Sequence, residues 1–407
     1  MPSRATRQHK KSKKRRDRSK RASEQDRDKK PSDWSIPDFW IPSSKQQLDE
    51  LTKMGRVPQI NELEQGAFAS GSQINQVQFA ALRIVFKRAK KPEKLDKQTV
   101  KSRYGLSKVW GEAEDLVEKC KPFQAYLSVV QGDKKVRQIP ADAPEHPRSF
   151  KTVRLNQELV CTVSGMHDRE RDFSVSVPKT RSTTKHKNLK QGLKDESQSP
   201  TSVSAGNDRY PSSEDERISP HNYPDAEDEI VPNAALILYL QEVLDIVPDN
   251  GMEWVFNRAH FTVTFRKGKY MAFTDGALRS MKGQELMSFV EVKKRMRQVR
   301  QDAILMQEGS EIVGYIMRQQ SKLPNLNNHR LMFSQDRHEV YVTFASWHKD
   351  YVDYLSKDEN KGRITPNSHL TMKTFGPFNT KEARHMKDLA IFVVAFTLVA
   401  REAALSA

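Results

Sequence analysis

Two acidic residues and a lysine in the C-terminal half of the chain have the types and spacing of a site that cleaves phosphodiester bonds. Asp275 follows a short segment of alternating apolar residues, and Glu291 and Lys293 lie two residues apart in an apolar stretch. Because side chains alternate across a strand, we expect Glu291 and Lys293 on the same face. If the segment ending at Asp275 pairs with that strand, the two carboxylates meet at one edge of a sheet.

Two carboxylates at such an edge provide the oxygen ligands that magnesium or manganese prefers. A neighbouring lysine can stabilise the charge that develops on phosphoryl oxygens, or orient the attacking water. We therefore predict a metal site at Asp275 and Glu291, and catalytic roles for Asp275, Glu291 and Lys293.

Less specific interpretations of the same residues stay open. Asp275-Gly276 is also a common hairpin-turn pair. Glu291 and Lys293 are also compatible with a solvent-facing ion pair on an edge strand, an arrangement that contributes about 0–1 kcal/mol. The chain has no phosphate-binding Walker loop and no dinucleotide-binding glycine motif, which excludes those nucleotide sites.

The elements that must position these residues follow from hydrophobic periodicity. The expected elements are a helix over 234–247, strands over 261–265, 270–274 and 285–293, a long helix over 295–320, a hairpin over 330–344 and a last helix over 380–404. This order predicts an α/β (α+β) fold with a mixed sheet flanked by helices.

Asp275, the triplet Glu291-Val292-Lys293 and this order of elements resemble the PD-(D/E)XK nuclease superfamily. In that family a helix carrying a glutamate comes first, then a strand hairpin ending in the metal-binding Asp, the (D/E)-x-K strand and a further helix. The resemblance covers about residues 233–345. It implies a restriction-endonuclease-like sheet and a magnesium-dependent nuclease, with Glu242 and Gln307 beside the metal-bound water. Thr274, and not proline, precedes Asp275 in this chain. The end of the chain also resembles uncharacterised proteins of filamentous fungi, which implies no function.

The first 32 residues form a basic tail. Residues 1–30 contain 14 Lys and Arg against 4 Asp and Glu, which accounts for most of the net charge of +17. Like charges with no apolar residues to collapse them predict disorder. Such a cluster is typical of contact with nucleic acid, DNA above all, or with a nuclear import receptor, and it predicts a nuclear protein. The residues expected to contact nucleic acid are Lys10, Lys11, Lys13, Lys14, Arg15 and Arg16. A solvated tail without a specific partner is the alternative.

Residues 33–164 are predicted to be mainly helical, with one helix over 73–90 and two short helices on either side of Gly105. Helices around a glycine are seen in helix-turn-helix DNA readers, but packing support for the C-terminal domain is the favoured role. Residues 165–231, rich in Ser, Thr, Pro and charged residues, predict a disordered linker. A separate domain then occupies residues 232–407.

Composition narrows the function classes further. Two cysteines make no disulfide framework. The apolar run from Leu389 to Ala400 is too short to cross a bilayer and predicts a buried helix, so no membrane partner is expected. Three hypotheses are left: a metal-dependent nuclease, a catalytically inactive module that binds nucleic acid or protein on the same fold, and a scaffold whose tail only directs import.

Overall fold

A computed structural model describes residues 35–91, 96–161, 225–226, 228–318, 323–358 and 363–405. The basic tail with its predicted nucleic-acid contacts, and most of the predicted linker, lie outside these described residues. Within them the protein has a mixed α/β fold, which confirms the fold class expected from periodicity.

The described residues form both helices and strands. The helices are α1 (Lys45–Met54), α2 (Gln76–Ala81), α3 (Lys97–Arg103), α4 (Trp110–Lys119), α5 (Lys121–Gln131), α6 (Phe150–Cys161), α7 (Ile230–Leu244), α8 (Gln301–Met317), α9 (Lys349–Leu355) and α10 (Ala383–Leu405). The strands are β1 (Ile84–Lys90), β2 (Met252–Val255), β3 (His260–Thr264), β4 (Lys269–Phe273), β5 (Gly276–Ser280), β6 (Leu286–Lys293), β7 (His329–Asp336), β8 (Glu339–Trp347) and β9 (Leu370–Asn379).

Seven strands form one mixed sheet in the order β1-β9-β8-β7-β6-β5-β2, and β3 with β4 forms a separate two-stranded ribbon. Two neighbouring pairs are parallel, β6 with β7 and β1 with β9, and the others are antiparallel. Parallel neighbours need a crossover connection, and α8 provides it between β6 and β7. This crossover places α8 over β6, the strand that carries Glu291 and Lys293.

The predicted helix over 73–90 is wrong in its second half. The helix α2 ends at Ala81, and Arg83 then adopts a φ of 55°, outside the helical region. Ile84, Val85 and Phe86, which suit a pleated surface better than a helix, begin β1. This strand pairs in parallel with β9, from Ile84 opposite Leu370 onwards.

The described residues of 35–161 are therefore part of the same folded unit as the C-terminal half. The expectation of a separate domain that begins at residue 232 is wrong. The sheet combines β1, which precedes the supposed linker, with six strands that follow it. The two short helices around Gly105 bury Tyr104 and Trp110, and the Trp110 ring packs edge-on against Phe392 of α10, 5.1 Å between centroids. Packing support, the favoured role for this region, is what the structure shows.

Both faces of the sheet are covered by apolar cores. One core includes α4, α5, α6, α7 and α10, and the other includes α2, α8 and the ribbon. The apolar run Leu389–Ala400 is buried within α10 on the first face, as expected. None of the helices in the described ranges is long and apolar enough to cross a membrane.

Candidate active site

Asp275 lies at the start of β5, directly beside Glu291 on β6. The sequence led us to expect that Asp275 ends a strand that pairs with β6, but β4 pairs only with β3, and it is β5 that pairs with β6. The backbone N–H of Asp275 donates to the Val290 carbonyl at 2.9 Å, and its Oδ2 accepts the Val292 N–H at 2.9 Å. The Asp275 carboxylate is therefore held against the backbone on either side of Glu291.

Gly276, the next residue, lets β5 pack closely against α7 and β2. A Cβ at position 276 would lie 2.5 Å from Ile237 Cδ1 and 2.8 Å from the Val255 carbonyl oxygen, closer than atoms tolerate. Gly276 is thus the first residue of a tightly packed strand that Asp275 immediately precedes, and the interpretation of the pair as a hairpin turn is wrong because β4 and β5 do not pair with each other.

Glu291 is 2% exposed and lies on an interior strand, so the interpretation as a solvent-facing pair on an edge strand is also wrong. Its Oε1 accepts from Lys293 Nζ at 2.5 Å and from Gln307 Nε2 at 2.5 Å. The expectation that Glu291 and Lys293 share a face is confirmed. Gln307, expected from the helix that follows the strand, reaches Glu291 from α8.

Glu311, a fifth member of the site, was missed by the sequence analysis. It lies one turn after Gln307 on α8, is fully buried, and accepts from Gln307 Nε2 at 2.9 Å. Residues four apart share a helix face, so the spacing from Gln307 was a usable signal. We call Asp275, Glu291, Lys293, Gln307 and Glu311 the Glu291 cluster.

The carboxyl groups of this cluster lie close enough together to interact electrostatically. Burial, then the adjacent Glu311 carboxylate, raises the pKa of Glu291 well above its usual range. Burial raises the pKa of Glu311 to about 8. Burial lowers the pKa of Lys293, but the Glu291 carboxylate outweighs it, and the net shift is upward. The cluster thus has more buried carboxyl groups than its single lysine can neutralise.

The rim of the cluster contains two further charged residues that sequence reasoning missed. Glu229, assigned to the linker, lies just before α7 with its Oε1 3.6 Å from Lys293 Nζ. Arg258 Nη2 donates to Asp275 Oδ1 at 3.3 Å. The linker prediction is corrected at this end, because α7 begins at Ile230 and Asp225 Oδ2 accepts from Arg295 Nε at 2.7 Å.

Glu242 does not belong to the cluster, contrary to expectation. The residue of α7 that reaches the site is Asn233, whose Nδ2 donates to the Asp275 carbonyl at 3.0 Å. At a rise of 1.5 Å per residue, Glu242 lies about 13 Å further along the helix axis than Asn233. Its carboxylate instead faces Cys120, where its charge contributes to a raised pKa of that thiol after the larger effect of burial.

A second charged group, which we call the Arg297 cluster, adjoins the first: Arg297, Glu308, Ser334 and Asp336. Ser334 is the register partner of Glu291, and Asp336 that of Lys293. Arg297 donates to Asp336 Oδ2, to Glu308 Oε1 at 2.5 Å and to Ser334 Oγ at 2.8 Å, and its guanidinium lies 3.9 Å from the centroid of the Tyr341 ring. This network ties the segment before α8 to the end of β7.

The donor atoms of the Glu291 cluster fit a hard cation. Glu291 Oε2 and Glu311 Oε2 are buried and lack a hydrogen-bond partner among the described residues. Buried carboxylate oxygens without partners are costly, and a bound cation removes that cost. No group of three or more His, Cys, Asp or Glu within the described part of the chain has the arrangement of a complete metal site. Magnesium commonly uses only one or two protein carboxylates and completes its shell with water and substrate phosphate oxygens.

The sequence analysis thus placed Asp275, Glu291, Lys293 and Gln307 together correctly. It misplaced Glu242 and overlooked Glu229, Arg258 and Glu311.

Comparison with models of known protein families, with curated proteins and with solved structures finds no match to this chain.

Proposed function

We propose that this protein is a metal-dependent phosphodiesterase of the nuclease type that acts on DNA. The observation that carries the proposal is the convergence of Asp275, Glu291, Lys293 and Gln307 around a buried Glu291 carboxylate with one unpartnered oxygen. These are four of the five residues that the resemblance to PD-(D/E)XK nucleases implied. The same resemblance supports a restriction-endonuclease-like arrangement of α7, β2, β5, β6 and α8.

Four residues of the Glu291 cluster, Asp275, Glu291, Lys293 and Gln307, have a role in this proposal. Asp275 and Glu291 would hold a magnesium or manganese ion, which supplies Lewis-acid stabilisation and an activated water when bound. Lys293 stabilises the charge on the phosphoryl oxygens in the transition state. Gln307 orients the Glu291 carboxylate through its amide, and Asn233 and the Val292 N–H fix the backbone and side chain of Asp275.

The basic tail fits the same substrate. Its phosphate contacts would be independent of sequence and would weaken steeply as salt increases. Deleting residues 1–30 from the full chain is expected to lower the affinity for unrelated DNA sequences equally. A nuclear location, through an import receptor that binds Lys10–Arg16, is proposed on the same basis.

The test uses the full-length chain with supercoiled plasmid and with single-stranded DNA, in manganese or in chelator. Asp275→Asn, Glu291→Gln and Lys293→Met are compared with the wild type. Glu242→Gln is the matched control, since it removes a carboxylate that the structure places outside the cluster. Cleavage that requires metal, persists in the control and falls at least about 100-fold in all three variants is expected, since each removes a charge that acts in the transition state.

Equal cleavage by wild type and the three variants, with folding intact by circular dichroism, would show contamination and end the proposal. A catalytically inactive nucleic-acid- or protein-binding module on the same fold is the second candidate. It is favoured by the tight Lys293–Glu291 pair and because, among the described residues, no three His, Cys, Asp or Glu side chains are arranged to hold a metal ion. In that case DNA binding persists in the Lys293→Met variant while no cleavage is seen in the wild type.

A further inference from the structure

The ribbon formed by β3 and β4 has one buried and one exposed face, and it leads directly into Asp275. Exposed and buried residues alternate strictly from His260 to Val263 and again from Lys269 to Phe273. The outer face contains His260, Thr262, Thr264, Lys269, Met271 and Phe273. Met271 and Phe273 are 48% and 46% exposed, an unusual amount for large apolar side chains on two neighbouring positions of one face.

The inner face is fastened to the same helix that carries Gln307 and Glu311. Tyr270 donates from its hydroxyl to the Ser310 carbonyl on α8 at 2.8 Å. Gly314 allows α8 to approach closely, since a Cβ there would lie 2.6 Å from Phe261 Cβ. The outer face is therefore held at a fixed position relative to the Glu291 cluster.

All Asp, Glu, Lys and Arg residues of the ribbon and its flanking segments are of the positively charged types. Residues 256–274 contain four Arg and Lys and no Asp or Glu. Arg258, which is 65% exposed, points to Asp275, and Lys267 pairs with Glu64. A surface with exposed rings, basic side chains and no carboxylates of its own complements a polyanion that has flat apolar groups.

We propose that the outer face of this ribbon is a stacking platform for unpaired bases of a nucleic-acid strand whose backbone continues towards Asp275. This inference rests on the proposed function and deepens it. It assigns single-stranded or frayed ends as the preferred substrate. His260 and Phe273 are cross-strand partners with stacked rings, 4.6 Å between centroids and 10° between planes. In this proposal a base extends the stack, while Arg258, beside Asp275, and Lys269, on the outer face, contact the phosphates. A fully paired duplex offers no free base face to these rings.

The experiment measures binding in chelator, so that its result does not depend on cleavage. Fluorescence anisotropy compares a labelled single-stranded oligodeoxynucleotide with its blunt duplex, using the full chain at about 200 mM salt to weaken the phosphate contacts of the tail. Phe273→Ala is expected to lower the affinity for the single strand about tenfold, within the range for one base–aromatic stack. Phe273→Trp is expected to keep that affinity, and duplex binding should change little in either variant.

Met281→Ala is the matched control, because Met281 is 61% exposed and lies after β5, outside the ribbon. A 5-iodouracil strand is expected to crosslink to His260, Met271 or Phe273 under ultraviolet light. Unchanged single-strand affinity in Phe273→Ala overturns the inference. The inference is also overturned if Phe273→Ala loses self-association in sedimentation while its single-strand binding is kept, because the ribbon would then be a contact between two copies. Selective single-strand binding without any cleavage in the wild type would defeat the proposed nuclease and leave the platform standing.

Discussion

The Glu291 cluster and the Arg297 cluster lie on the same face of neighbouring strands and use consecutive residues of α8, Gln307 and Glu308, yet they are completed to different degrees. The guanidinium of Arg297 contacts two carboxylates, a hydroxyl and the face of Tyr341. In the Glu291 cluster, the buried carboxyl groups of Glu291 and Glu311 each have an oxygen without a hydrogen-bond partner among the described residues, whereas in the Arg297 cluster only Asp336 Oδ1 does.

This difference is what we expect between a structural network and the proposed metal site. In the Arg297 cluster the guanidinium pairs with both surrounding carboxylates, as in a buried ion pair whose cation offsets the desolvation of its partners. In the Glu291 cluster one lysine, shared with Glu229 on its rim, faces two buried glutamates, and the proposed metal ion would offset this imbalance. Four measurements would sharpen or break the comparison.

The largest effect is expected from Arg297→Met. The variant leaves Glu308 and Asp336 buried without their cation, which typically costs about 3–5 kcal/mol of the free energy of unfolding. Urea denaturation of the full chain measures it. The control is Arg279→Met, because Arg279 pairs with Glu253 on a half-exposed surface where about 0–1 kcal/mol is usual. Equal losses in both variants would show that the Arg297 cluster is not a structural anchor.

A pH dependence of stability is expected from Glu311. Burial raises its pKa from 4.5 to about 8, so the folded protein keeps a proton that the unfolded chain releases. The corresponding stability is fully present below pH 4.5 and is lost as the pH rises through about 8. It amounts to a few kcal/mol at most, at about 1.4 kcal/mol per pKa unit.

Glu311→Gln should flatten this fall between about pH 5 and pH 8, measured in chelator by thermal melting at a series of pH values. Glu242→Gln should keep the wild-type slope. If the slopes of wild type and Glu311→Gln coincide, the buried carboxyl does not titrate as the geometry demands.

Manganese should stabilise the protein through the Glu291 cluster alone. At about 100 times its Kd, a ligand that binds only the folded state adds about 2.7 kcal/mol. The upward shift in melting temperature should vanish in Glu291→Gln and persist, from a lower baseline, in Glu308→Gln. A shift retained in Glu291→Gln would place the ion elsewhere.

The smallest effect is expected from Glu229→Gln. Its carboxylate lies 3.6 Å from Lys293 Nζ and is 45% exposed, so its loss should change the free energy of unfolding by less than about 1 kcal/mol. Urea denaturation tests this beside Glu291→Gln. A loss as large as that of Arg297→Met would mean that the rim is part of the buried network.

Much of this site was predictable because most of its residues lie close together along the sequence. Glu291 and Lys293 differ by two positions on an apolar strand, and Gln307 follows on the next helix, so their convergence required only the α8 crossover. Asp275 came to the right place for a different reason from the one expected, since it begins β5 and does not end the strand that pairs with β6.

The errors come from contacts that periodicity cannot show. The apolar positions of α2 continue into β1 without a break in pattern, and the partner of β1 is β9, more than 280 residues away. Glu242 was chosen because the resemblance implies a glutamate on the helix that precedes the hairpin, and Glu242 is the glutamate within α7. The residues that reach the site, Glu229 and Asn233, lie at or before the first turn of that helix, next to a segment with linker-like composition.

The pairing of β1 with β9 has a consequence for how the chain is made. During synthesis Ile84, Val85 and Phe86 emerge long before Leu370–Asn379, the only strand they pair with in the described structure. These three residues are buried in the folded protein and pair with a strand that is synthesised more than 280 residues later, so we expect slow folding and an exposed apolar segment in the nascent chain. A truncated version beginning at residue 232 would leave the β9 edge and the apolar sides of α7 and α10 uncovered.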